Sequence, residues 1–201
     1  MTAPTRSRRL ARLVAVGLLL AALGGCSGDE SPSAQTTFDQ ALHDELVQMQ
    51  ADDQAEMTGR GADPTTTFES RQARLAEILD EHGWPGWDLV GRKGSTAAWV
   101  VVQHADLDLA FQEKALGLLE EAVAAGQASP GDLAYLTDRV AAARGDEQTF
   151  GTQIRCDGKR AVPATPIADE AGVEERRANA GLEPLGDYLA EMEELCAGDA
   201  P

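Results

Sequence analysis

The stretch "AAWVVVQHADLDLAF", Ala97 to Phe111, decides the fold. Its first half is apolar, its middle carries Gln103, His104, Asp106 and Asp108, and its end is apolar again. Aspartate is a good helix N-cap, and an imidazole at a helix C-terminus meets the last carbonyls and the negative end of the dipole. The spacing therefore predicts two helices meeting at a corner near Ala105. The first, capped by Ser95 or Thr96, runs through Ala97, Trp99, Val100 and Gln103, and Asp106 or Asp108 caps the second. That second helix has one apolar face at Leu107, Phe111, Ala115, Leu118 and Ala122, and another at Leu109, Leu116 and Val123, so it belongs at the centre of a bundle.

Helical patterns continue on both sides. Thr37 and Gln40 have capping-box spacing ahead of the stripe Phe38, Leu42, Leu46 and Met49. The helix so opened, to about residue 57, has no Lys or Arg. Its acids (Asp39, Asp44, Glu45, Asp52, Asp53, Glu56) read as a solvated face, because the spacing of a calcium loop is absent. Thr66 and Glu69 form a second box, before Phe68, Leu75, Ile78 and Leu79, with Gly83 and Pro85 as the stop. "HGWPGWDLVGRKGS" reads as a loop whose Trp84 and Trp87 plug a helix junction. Arg92 follows Gly91 where a phosphate loop needs lysine, which excludes that motif. "SPGD", Ser129 to Asp132, is a strong helix start for Leu133, Leu136 and Val140, ending at Gly145. "FGTQIRCDGKRAVPATPI" has strand-like residues around an Asp157–Gly158 turn. Asp169 caps a short helix to Arg177, and Pro184 opens a last one with Leu185, Tyr188, Leu189, Met192 and Leu195. The expected fold is mainly α: a single orthogonal or irregular helical bundle over residues 37–201, with one short β-hairpin or extended excursion.

The N-terminus carries an address. Arg6, Arg8, Arg9 and Arg12 precede an apolar run from Leu13 to Leu23, too short for a spanning helix and typical of a secretory signal. It ends in "LGGC", Leu23 to Cys26, which resembles the bacterial lipoprotein signal. That resemblance implies removal of residues 1–25, lipidation of Cys26, and anchoring at the extracytoplasmic face of the cell membrane. Two acyl chains anchor stably, at about 0.8 kcal/mol per buried CH2. Residues 26–36 read as a flexible tether with a reach of roughly 17 Å. Loss of four arginines takes Lys plus Arg from 17 to 13 against 34 acids, and the formal net charge from −17 to −21. Such a surface repels phosphate backbones, which excludes nucleic acid as a partner class.

Two cysteines remain, Cys156 and Cys196. Outside the cytoplasm such a pair can oxidise to a disulfide. Two free thiols are the alternative; a metal site would need further ligands, and neither cysteine has a histidine beside it.

The motifs "GWPGWDLVG", "AWVVVQHAD", "YLTDR", "FGTQ", "PIAD" and "RRANAGLEPLGDY", in this order, resemble a family of uncharacterised bacterial proteins that share a domain of unknown function. Many of them look like lipoproteins or secreted proteins. The likeness runs from Leu75 to Tyr188; the acidic first helix lies outside it, and "IRCDGKRAV" is a local variation. It implies no activity, substrate or catalytic residue.

The polar groups from which a site could be built are Gln103, His104, Asp106, Gln112, Asp138, Arg139, Gln148, Thr152 and Gln153. In one reading they are structural: caps, interhelical pairs and partners for irregular backbone. In the other they converge on a pocket. That pocket would serve a binding module for a small molecule, peptide or protein, or a hydrolase in which Asp106 or Asp138 orients His104 as general base and Arg139 holds an anion. There is no Gly-x-Ser-x-Gly elbow and no His-Glu-x-x-His pair, and no metal or other cofactor is implied.

Overall fold

The computed structural model of the chain describes residues 37–59 and 65–198. Its elements are α1 (Gln40–Thr58), α2 (Phe68–His82), α3 (Trp87–Gln103), α4 (Leu109–Ala124), α5 (Pro130–Arg144), β1 (Ile154–Asp157), β2 (Arg160–Pro163), α6 (Val173–Asn179) and α7 (Leu185–Ala197). The fold is mainly α, with a single antiparallel hairpin in which Ile154 faces Pro163 and Asp157 faces Arg160. The described residues belong to one compact unit. None of their helices is long and apolar enough to cross a membrane. The expected signal segment, Cys26 and the expected tether lie outside the described residues.

The core is built on α3. Val90, Ala97, Ala98, Val101 and Val102 are buried against Leu42, Leu46 and Met49 of α1, Leu75, Ile78 and Leu79 of α2, and Phe111, Ala115 and Leu119 of α4. The corner forms as expected: His104 ends α3, and Asp108 caps α4 by accepting from the Phe111 N–H at 3.0 Å. Ser129 caps α5 through the Asp132 N–H at 3.1 Å, with Pro130 in the first turn.

Several local expectations are corrected. "HGWPGWDLVGRKGS" is mostly helix, interrupted at Gly91, whose φ of 69° suits glycine. The interruption leaves carbonyls to be satisfied, and α1 does so: Leu89 O accepts the Asp39 N–H at 2.7 Å, and Val90 O accepts His43 Nδ1–H at 2.6 Å. This docking sets the start of α1, so Asp39 rather than Thr37 is the cap. Ser95 is no cap either; its buried hydroxyl accepts from Trp84 Nε1 at 2.9 Å. The second capping box is Thr67 with Ser70, and the Thr66 carbonyl accepts from Arg71 at 2.8 Å. Leu107 and Phe38 are exposed, not core. The hairpin turns on Gly158 and Lys159. Asp169 is left-handed and makes no cap bond; its carboxylate meets Arg176 instead. On α7 only Tyr188 is buried, and Leu195 faces solvent.

Candidate functional site

The candidate polar residues divide between two places. Asp138, Gln148, Thr152 and Gln153 come together around the loop between α5 and β1. Asp138, fully buried, accepts from the N–H groups of Thr149 (2.7 Å), Phe150 (3.1 Å) and Thr152 (2.9 Å), and from the Thr152 hydroxyl (3.0 Å). A carboxylate can take that many donors because it is acceptor-only with about four lone-pair positions. The loop carbonyls are claimed from the other side. Arg176 Nε donates to Thr149 O at 2.8 Å, Arg177 Nη1 to Phe150 O at 2.9 Å, and the Tyr188 hydroxyl to Thr152 O at 2.8 Å. Gln148 closes the loop: its amide donates to Gln153 O and Thr165 O and accepts the Gln153 N–H at 2.7 Å. Gln153 Nε2 in turn reaches Thr152 Oγ1 at 3.1 Å.

Three features make this a clamp. Arg177 is 1% exposed, and its guanidinium lies over the Tyr188 ring, 5.1 Å from the centroid. Burial raises the Tyr188 phenol above the ordinary tyrosine range, and Tyr135 beside it adds to the shift. Gly151, at φ 70°, has no room for a side chain, since a Cβ there would stand 2.6 Å from Ile167 Cδ1. Behind the loop, a disulfide joins Cys156 on β1 to Cys196 on α7, with Cα atoms 5.5 Å apart.

Beside the clamped loop lies an open groove of about 460 Å³, lined by Pro130, Leu133 and Thr137 of α5, Thr149 and Phe150 of the loop, and Arg176 and Asn179 of α6. Its exposed surface is mostly apolar.

His104 is elsewhere. Its Nδ1–H donates to Asp53 Oδ2 on α1 at 2.5 Å, and neither Asp106 nor Asp138 orients it. Asp106, exposed, pairs with Arg139 at 2.6 Å across the corner. His104 and Arg139 therefore line no common pocket. Gln103 is buried, and its side-chain amide has no hydrogen-bond partner. No group of three or more acidic, histidine or cysteine side chains among the described residues is placed to hold a metal ion.

Sequence reasoning missed Asp53, Arg71, Arg176 and Arg177. Signals existed for some of them. Asp53 continues the spacing of Leu42, Leu46 and Met49, Arg71 precedes Leu75 and Ile78 in phase, and Arg177 lies one turn after buried Val173. A charge at a core position of a helix is a charge with a buried partner.

The site and fold thus define a small helical protein with a hairpin and a side-chain-clamped loop. The model of a family of unknown function (DUF6624) matches residues 30–198, and the chain belongs to that family. The match extends past the Leu75–Tyr188 stretch and takes in α1. No curated protein and no solved structure matches the chain.

Proposed function

We propose that this protein is a lipid-anchored module that binds an extended peptide segment of a partner at the extracytoplasmic face of the cell membrane, in the groove between α5, α6 and the 148–153 loop. The observation that carries the reading is the clamp. Donors from three residues of the loop converge on Asp138, and Arg176, Arg177 and Tyr188 take its carbonyls. A loop so held loses little further entropy on binding, and preorganisation of this kind favours a recognition surface. Leu133, Phe150 and Pro130 offer apolar contact, while Thr137, Thr149 and Asn179 offer polar edges that an extended backbone can meet.

The anchor rests on the basic and apolar leader ending in Leu-Gly-Gly-Cys. Cys26→Ser is expected to leave the protein unprocessed or release it from membranes; a processed variant that fractionates with membranes as the parent does contradicts the anchor. For the groove, the test is selection of peptides from a displayed library on the full-length protein in detergent. Selected peptides should bind the parent and lose at least tenfold on Leu133→Glu, about 1.4 kcal/mol. Peptides that bind Leu133→Glu as well as the parent, or no selection at all, overturn the reading.

A further inference from the structure

We propose that the starts of α1 and α3 form a membrane-facing surface, on which Phe38 and Trp87 enter the interface of an anionic phospholipid bilayer and Arg92 and Lys93 meet its phosphates. The proposal rests on the lipid anchor at Cys26. The break in α3 brings the parts together. Phe38 lies over Gly91, where a Cβ would stand 3.4 Å from its ring. Arg92, the next residue, places its guanidinium over the Trp87 ring, 3.6 Å from the centroid, and Lys93 follows it, exposed. The bond from the Asp39 N–H to Leu89 O fixes the start of α1 against the same turn.

The surface has the composition of an interfacial site. Phe38 is 45% exposed. Trp84 and Trp99 spend their indole N–H groups inside the protein, on the Ser95 hydroxyl and on Asp132 O. Trp87 is half-buried, and its N–H has no acceptor among the described residues. A tryptophan with an apolar body and an unspent N–H suits the headgroup level of a bilayer. Arg92 and Lys93 have no carboxylate partner among the described residues. Cations elsewhere on the helices are neutralised: Arg74 by Glu45, Arg139 by Asp106 and Arg144 by Glu113. The acids nearest this surface in sequence are engaged, Asp39 by the Leu42 N–H and Asp88 by Gln127 Nε2.

Two arguments select a bilayer as the occupant. The expected tether, residues 27–36, joins Cys26 to Thr37, the residue before Phe38. Ten residues of that composition reach roughly 17 Å. Tethering holds the surface at a local concentration on the order of mM, so contacts weak in themselves suffice. The second argument is charge. Without the signal's four arginines, the chain keeps 13 bases against 34 acids. An anionic bilayer repels most of that surface and attracts this part of it, which turns the tethered protein with Phe38 and Trp87 inward. Arg155, Lys159 and Arg160 are also exposed and without ion pairs among the described residues, but they sit on the hairpin, which carries no aromatic residue.

The test is tryptophan fluorescence of the membrane-purified protein in vesicles of phosphatidylglycerol and phosphatidylcholine, brominated on the acyl chains near the headgroups. Relative to unbrominated vesicles, the parent should lose roughly a third of its emission, one tryptophan of three. Trp87→Phe should lose none. Arg92→Glu with Lys93→Glu, both at exposed positions, should reduce the parent's quenching about twofold or more, and so should high salt. Lys159→Glu, on the hairpin, should match the parent. An unquenched parent, equal quenching in Trp87→Phe, or no effect of the Arg92 and Lys93 substitutions overturns the proposal. An unquenched parent that is also a dimer in detergent assigns the surface to a second copy instead. Flotation with the vesicles reads the anchor separately. A parent that floats unquenched overturns the surface and leaves the anchor, and one that does not float overturns both.

Discussion

Thr152 gives Asp138 both its backbone N–H, at 2.9 Å, and its hydroxyl, at 3.0 Å, and both residues are buried. One side chain on α5 thus fixes the end of an irregular segment that has no helix or sheet of its own to hold it. Asp138→Ala strands four donors at once, so it should cost about 3 to 5 kcal/mol in chemical denaturation. A loss below about 1 kcal/mol would show that the loop holds itself.

Gly151→Ala tests the same loop from its backbone. Its left-handed φ disfavours alanine, and the added methyl meets Ile167 and Leu185 side chains. The expected cost is about 2 to 4 kcal/mol, summing backbone strain and overpacking. An unchanged midpoint would place the loop in another conformation.

Opening the Cys156–Cys196 bond, by reduction or as the double serine variant, frees a span of 40 residues in the unfolded chain. On the chain-entropy account this costs about 4 kcal/mol and lowers Tm by roughly 8 to 16 °C. Two reactive thiols in denatured, unreduced protein would contradict the bond outright.

The chain's two tyrosines, Tyr135 and Tyr188, meet edge to face with centroids 6.2 Å apart. Burial raises both phenols above their ordinary value. A folded-state pKa above the unfolded one contributes stability that is complete below the unfolded value, near 10, and is lost as pH rises toward the folded value. Phenolate absorbance should therefore appear late, together with loss of helical circular dichroism. Titration of both tyrosines near pH 10 with the helices intact would disprove their burial.

Most helices were legible because their start and stop chemistry is local. Ser129–Pro130–Asp132, Asp108 and Gly145 act within a turn of the residues they cap. The 87–95 segment was misread for a physical reason: glycines signal a break, but here Gly91 breaks a helix that resumes at once, its freed carbonyls taken by a helix about fifty residues earlier. The pairing of His104 with Asp53 was hidden in the same way. Asp53 stands in a run of acids, and only its phase on the apolar stripe distinguishes it from the solvated ones. For Asp138, proximity to "FGTQ" was a usable hint, but the donors are backbone groups, which sequence does not mark.

The central claim is that side chains hold the 149–152 loop in one conformation. Amide hydrogen exchange of Thr149, Phe150 and Thr152 measures this directly, because all three N–H groups are spent on Asp138. The account predicts exchange as slow as that of the α3 core and limited by global unfolding, with all three accelerated together in Asp138→Asn. Fast exchange in the parent, at the rate of an exposed loop, would contradict it.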